Sequence, residues 1–82
     1  MSEIYFTKRA NRDIDRYNEI TKKKIINKLK EYSKNPHKYY KKLISSNIGS
    51  YRFKIGEYRV IFDMEDDKII ILRIGHRKEI YK

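Results

Sequence analysis

The chain has 82 residues, enough for one domain with a modest hydrophobic core. Its 21 lysines and arginines outnumber 11 aspartates and glutamates, which gives a formal net charge of +10. The absence of cysteine excludes disulfides and thiolate metal sites, and two histidines are too few for a zinc site without carboxylate ligands. We therefore expect a protein without a metal or other cofactor.

The charge and hydropathy of the chain favour a cytoplasmic protein with a polyanionic partner. No apolar run approaches the roughly 20 residues of a membrane span, and the first residues lack the apolar segment of a signal peptide. Strong basicity favours nucleic acid as the partner. The alternative is a lysine-rich surface that only keeps the protein soluble.

The first half of the chain predicts one strand and two amphipathic helices. Residues 3–7 have the composition of a short strand, and Thr7 is expected to N-cap the first helix. Thr21 is expected to cap the second helix, which should end before Pro36. Each helix has an apolar stripe that is expected to face the core, formed by Ala10, Ile14 and Tyr17 in the first and by Ile25, Ile26, Leu29 and Tyr32 in the second.

The segment 37–49 has no clear periodicity. Tyr39 and Tyr40 stand next to lysines, a combination that can stack on unpaired bases and contact phosphates. The interpretation we favour is that a tyrosine and Leu43 cover the edge of the sheet, because aromatic residues more often fill a core.

Three strands are predicted in the second half, near 50–55, 58–64 and 68–75. The last is apolar on both faces, which indicates a central position in the sheet. The element order β-α-α-β-β-β predicts a single α+β domain over residues 1–82, with an antiparallel sheet and a two-helix hairpin packed on one face.

The first two of these strands place two cations opposite each other. Gly56 suits the first central position of a type II′ turn, and a two-residue turn pairs Lys54 with Arg59. Arg52 lies on the same face as Lys54 because side chains alternate along a strand. Directly opposed like charges destabilise a sheet, cross-strand pairs being worth about 0.2–1 kcal/mol. Folding alone does not explain this arrangement, but a polyanion bound to this face would.

Residues 51–54, 57–62 and 73–81 resemble the RelE-type toxins of the RelE/ParE superfamily. The resemblance implies a toxin of a type II toxin–antitoxin system that cuts mRNA in the ribosomal A site without a metal. In that reaction the mRNA 2′-hydroxyl attacks the adjacent phosphate and leaves a 2′,3′-cyclic phosphate. The implied partners are the ribosome, mRNA and a RelB-like antitoxin that neutralises the toxin in a hetero-oligomer.

The resemblance implies catalytic roles for Arg52, Lys54, Arg59, Arg77 and Tyr81. The best-studied bacterial branch has two lysines where this chain has Arg52 and Lys54. Arg52 could stabilise charge but not act as a base, because arginine stays protonated. Tyr81 is a candidate acid or base whose ring could also stack on a nucleobase. It is carried by a C-terminal tail that we expect to have little core of its own.

Other residues complete the expected site. His76 is the rival candidate for proton transfer. Arg52, Lys54, Arg73 and Lys78 are expected to contact RNA. Asp63 is expected to form a salt bridge, with Arg59 as its partner, rather than to act as a base.

Two other functions stay open. One is a ParE-like inhibitor of DNA gyrase, which would share the fold and lack the RNA-cleaving residues. The other is a non-catalytic RNA-binding or ribosome-binding module, which would keep the basic face but tolerate loss of Tyr81.

Overall fold

A computed structural model describes residues 2–44 and 46–81, which form a five-stranded sheet with two helices on one face. The elements in chain order are β1 (Glu3–Phe6), α1 (Lys8–Asp15), α2 (Glu19–Ser33), a 3₁₀ turn (Pro36–Lys38), β2 (Lys41–Lys42), β3 (Tyr51–Ile55), β4 (Tyr58–Glu65) and β5 (Lys68–His76). None of the helices within these ranges is long and apolar enough to cross a membrane.

The spatial order of the strands is β1-β5-β4-β3-β2. Strands β2 to β5 pair antiparallel, as expected, whereas β1 pairs parallel with β5. A parallel pair cannot be closed by a tight hairpin, so the chain between these strands includes both helices and the other three strands. The predicted α+β class is confirmed. Strand β5, which was expected to be central, is an interior strand between β1 and β4, and the central strand is β4.

One core joins the helices to the sheet. Its fully or nearly fully buried members are Ala10, Ile14, Ile25, Leu29, Phe53, Ile55, Val60, Phe62, Ile69, Ile71 and Ile74. Core members alternate with residues on the opposite face along β3 and β4, whereas on β5 a register shift opposite Ile61 and Phe62 separates Ile71 from Ile74 by three positions. The helix members recur at helical spacing. The sheet face that bears Lys54 and Arg59 is therefore directed away from the helices.

Side-chain caps define where the helices begin. The Thr7 hydroxyl accepts a hydrogen bond from the Ala10 N–H at 3.1 Å, as predicted, and donates to the Ile71 carbonyl at 3.0 Å. The prediction that Thr21 caps the second helix is wrong. Asn18 is the cap, because its carboxamide oxygen accepts from the Thr21 N–H at 2.9 Å and lets the helix begin at Glu19.

The two tyrosines before β2 pack on the protein. The Tyr39 ring stacks on Tyr32 with centroids 4.1 Å apart, and the Tyr40 ring lies 4.6 Å from that of Tyr51. Both rings are partly buried against the core. Their position agrees with the favoured interpretation that this segment covers the sheet.

Candidate functional site

The cations of β3 and β4 lie as the sequence predicted. Lys54 is the direct cross-strand partner of Arg59, while Phe53 pairs with Val60 on the core face. The turn between the strands has Gly56 at a φ of 58°, the conformation that a type II′ turn needs at its first central position. The hairpin therefore fixes two like charges side by side on the open face.

A second like-charged pair extends this surface. Lys41 of β2 is the direct partner of Arg52 on β3. The sequence analysis named the lysines after Tyr40 only as possible phosphate contacts and did not predict that Lys41 pairs with Arg52, because a strand of two residues has no periodicity to detect. We call the four residues Lys41, Arg52, Lys54 and Arg59 the cationic face. The two lysines are exposed, and the two arginines are half-buried.

Arg59 is held in place by the turn that precedes it. Its Nη1 donates to the carbonyl oxygens of Gly56 and Tyr58, both at 3.0 Å. These bonds reduce the freedom of a long side chain before any ligand arrives. The expected salt bridge between Asp63 and Arg59 is wrong, because Asp63 instead accepts a hydrogen bond from the Ser50 N–H at 2.8 Å.

An apolar contact borders the cationic face on one side. Ile61 lies on this face between Arg52 and Arg73 in register, yet it is fully buried. Gly49, in the loop before β3, lies close above it: a Cβ there would be 2.9 Å from Ile61 Cγ2 and 2.8 Å from Leu72 Cδ1. The loop that contains Gly49 therefore covers this part of the sheet.

Arg73 forms an ion pair with helix α1. Its Nε lies 2.8 Å from Oδ2 of Asp13, which is only 4% exposed and also accepts from the Ile74 N–H at 3.0 Å. Strand β1 pairs with β5 only as far as Ile71, so Asp13 of α1 meets the edge of β5 just beyond it. The predicted contact of Arg73 with RNA stays a prediction, and its ion pair provides a structural role.

The C-terminal tail, residues 77–81, folds back on the sheet. The N–H groups of Glu79 and Ile80 donate to the His76 carbonyl at 2.9 and 3.0 Å. Ile80 is 4% exposed, and a Cβ on Gly75 would lie 2.9 Å from Ile80 Cδ1. Gly75 is the cross-strand neighbour of Arg59. The expectation that the tail has little core of its own is therefore wrong, because Ile80 anchors it next to Arg59.

Arg77 contacts the turn of the β3–β4 hairpin. Its Nε lies 2.7 Å from Glu57 Oε2, and its backbone N–H donates to the Glu57 carbonyl at 2.8 Å. Lys24 of α2 reaches the same turn, with its Nζ 3.4 Å from the position of a Cβ on Gly56. The sequence analysis missed Lys24 because its place on a lysine-rich helix carries no signal of this contact.

The two candidates for proton transfer differ in their surroundings. The His76 ring lies edge-on to Tyr58, with centroids 5.9 Å apart, and Tyr58 packs against the core. Nδ1 of His76 accepts from the N–H of Lys78 at 3.1 Å, and the side chain of Lys78 is exposed. The structure thus places the His76 ring on the helix side of the sheet, away from Lys54 and Arg59. Tyr81 is 52% exposed at the end of the tail.

Tyr17 is a third titratable group near the tail. Its ring contacts that of Tyr58 edge-on, with centroids 5.1 Å apart. Burial is the main cause that raises the pKa of Tyr17 above its ordinary value, and the positive charge of Arg16 opposes it. The phenol therefore stays protonated at neutral pH, which fits a packing role against Tyr58.

Comparison with known families identifies the chain. The model of a family described as the ParE toxin of the type II toxin–antitoxin system, parDE, matches residues 4–81. The chain belongs to this family. It is therefore a toxin of the RelE/ParE superfamily, as its strands and tail indicated. No curated protein matches the sequence.

Solved structures with the same fold include two toxin–antitoxin complexes. The RelBE2 complex of Mycobacterium tuberculosis matches with a TM-score of 0.83 at 24% identity, over 93% of this chain and 98% of that chain. The RelE–RelB complex of Pyrococcus horikoshii OT3 matches with a TM-score of 0.71 at 20% identity, over 95% and 97%. A copper-bound mutant toxin from Helicobacter pylori matches with a TM-score of 0.71 at 15% identity, over 99% and 100%.

Proposed function

We propose that this toxin cleaves mRNA in the ribosomal A site by attack of a 2′-hydroxyl on the adjacent phosphate. The observation that carries the proposal is the Lys54–Arg59 pair, in which two cations face each other on the open side of the sheet. Turn carbonyls hold Arg59 in place. A phosphodiester bound there would relieve the repulsion between the two cations.

Charge stabilisation and proton transfer fall to different residues. In-line attack creates a dianionic phosphorane, and Lys54 and Arg59 would stabilise its charge, with Arg52 as a further cation on the same face. The 2′-hydroxyl loses its proton to a base, the 2′-oxygen bonds to phosphorus, and the 5′-oxygen leaves after taking up a proton. Tyr81 is the proposed proton-transfer group, because its exposed phenol belongs to the tail that Ile80 anchors beside Arg59.

Single-turnover cleavage of mRNA on programmed ribosomes tests this proposal. Arg59→Ala should lose cleavage by about 10²–10³-fold, the usual effect of removing one preorganised transition-state donor. Arg12→Ala is the matched control, because it removes the same charge from an exposed position on α1. Absence of cleavage by the wild type would reject the RNase proposal, and equal cleavage by wild type and Arg59→Ala would reject the role of Arg59. Equal losses in Arg59→Ala and Arg12→Ala would indicate a general charge effect.

A second candidate function is inhibition of DNA gyrase. It is favoured by the family match, since the family is named for ParE. The test is direct, because a gyrase poison converts supercoiled DNA to cleaved complexes in the presence of purified gyrase. Cleaved DNA together with intact mRNA would replace the first proposal by this one.

An antitoxin completes the proposed system. Two structures with the same fold are complexes with an antitoxin, and the net charge of +10 suits an acidic partner. We expect the partner to be disordered when free, to fold as it binds and to cover the tail. The pair would act in the cytoplasm, where both ribosomes and gyrase are found.

A further inference from the structure

Arg77 and Glu57 are joined by two contacts of different kinds. The side chains form an ion pair with Nε 2.7 Å from Oε2, and the backbone N–H of Arg77 donates to the Glu57 carbonyl at 2.8 Å. The backbone contact continues the pairing of β4 and β5 one step beyond Tyr58 and His76. It holds the Cα of Arg77 beside the turn whatever its side chain does.

The side-chain contact is weak by comparison. The Arg77 side chain is 52% exposed and that of Glu57 is 60% exposed. Exposed ion pairs contribute little to stability, because water and salt screen them and two long side chains lose freedom. The guanidinium can therefore exchange its carboxylate partner for another anion without disturbing the fold.

Glu57 stands among cations. Lys54 and Arg59 flank the turn on β3 and β4, Arg77 meets it from the tail, and Lys24 reaches it from α2. The ion pair between Arg73 and Asp13 is different, because Asp13 is buried and accepts a hydrogen bond from the backbone. The carboxylate of Glu57 is thus an accessible anion at a place where the fold gathers positive charge.

We propose that Glu57 is a placeholder for an RNA phosphate, occupying Arg77 in the free toxin until substrate displaces it. This inference rests on the proposed RNA-binding function and deepens it. A carboxylate and a phosphate present oxygen pairs that the planar guanidinium binds in the same way. When the phosphate binds, Arg77 keeps an anionic partner and the Glu57 carboxylate returns to water. Glu57 therefore lowers the affinity of the toxin for RNA.

Equilibrium binding of a short RNA tests this. The probe is a fluorescent single-stranded RNA whose 2′-hydroxyl groups are all methylated, so that the 2′-oxygen cannot attack and cleavage does not interfere. Breaking an exposed ion pair corresponds to about a 1.4- to 5-fold change in an equilibrium constant. Glu57→Gln should bind the probe about that much more tightly than wild type at low salt, with the gain shrinking as salt rises.

Two controls separate the placeholder from a general charge effect. Glu65→Gln removes the same charge from the opposite end of β4, where the residue is exposed. The gain in RNA affinity of Glu65→Gln measures the general effect of removing one negative charge, and it should be smaller than the gain of Glu57→Gln. In an Arg77→Gln background Glu57→Gln should give only this general gain, because the guanidinium it releases is gone. Denaturant unfolding of each variant verifies the fold.

The outcomes are distinct. An equal gain with and without Arg77, or a gain matched by Glu65→Gln, would overturn the inference. A loss of affinity in Glu57→Gln would also overturn it and would indicate that Glu57 itself contacts or orients the RNA. If the probe binds with the expected coupling while mRNA on ribosomes stays intact, the placeholder stands and the proposed RNase activity falls. A wild-type toxin that does not bind the probe would overturn the inference, and cleavage of mRNA on programmed ribosomes would then decide the RNase proposal separately.

Discussion

Gly75→Ala should displace the C-terminal tail from the sheet. The new Cβ would lie 2.9 Å from Cδ1 and 3.5 Å from Cβ of Ile80. The first distance is well below the roughly 3.5–4.0 Å of a favourable carbon–carbon contact. Ile80 is 4% exposed, so its side chain has little room to turn. If the tail is released completely, the free energy of unfolding falls by the contribution of one buried isoleucine, about 1.5–3 kcal/mol. A partial shift of the tail costs less.

Denaturant unfolding of four proteins tests this reasoning. The four proteins form a double-mutant cycle: wild type, Gly75→Ala, Ile80→Ala and the double variant. The clash occurs only when position 75 has a Cβ and position 80 keeps its isoleucine. The double variant should therefore be more stable than the sum of the two losses predicts, by about 0.5–3 kcal/mol. Trypsin should also cut Gly75→Ala faster at Arg77 and Lys78. Strict additivity, or a Gly75→Ala protein as stable and as resistant as wild type, would refute the packing argument.

Substitutions at four positions of the sheet and of helix α1 are further tests by denaturant unfolding. Lys54→Ala should leave the stability unchanged or raise it by up to about 1 kcal/mol, because it removes a cross-strand repulsion. Arg59→Ala should gain less stability, because it also loses two hydrogen bonds to turn carbonyls. Asp13→Asn should lower the free energy of unfolding by about 1.5–3 kcal/mol, since it weakens charged hydrogen bonds to Arg73 and to the backbone of β5. An unchanged stability would show that the ion pair is dispensable. Thr7→Ala should cost about 1–2 kcal/mol, while Thr7→Ser keeps the hydroxyl cap and should lose less.

Features encoded over short stretches of sequence could be predicted. The β3–β4 hairpin needs only alternation of apolar and polar side chains plus a glycine in the turn, and these together fix Lys54 opposite Arg59. The apolar residues on both faces of β5 indicated correctly that it is not an edge strand, although the central strand is β4. The error at Asn18 has a local cause too, because asparagine and threonine are both good N-caps and only the observed bond to Thr21 distinguishes them.

Contacts between distant residues could not be predicted in the same way. Asp13 and Arg73 are 60 positions apart, and nothing in the spacing of either indicates the other. The contact of Lys24 with the hairpin turn depends on how α2 lies on the sheet. The anchoring of the tail by Ile80 depends on the absence of a side chain at Gly75, which sequence reasoning treated only as part of a strand end.

Three arginines at the sheet have partners of different kinds. Arg73 is bound to a buried carboxylate, a pair whose separation would leave a charge without its partner. Arg77 is bound to an exposed carboxylate and can change partners, while Arg59 is held by neutral carbonyls that leave its charge uncompensated. The charge available to an anionic ligand is therefore that of the cationic face and of Arg77, whereas the charge of Arg73 is already neutralised by Asp13. This distribution explains why the face keeps opposed cations: the fold stabilises their backbone through Ile61 and Ile80 on either side, and leaves their charges for the ligand.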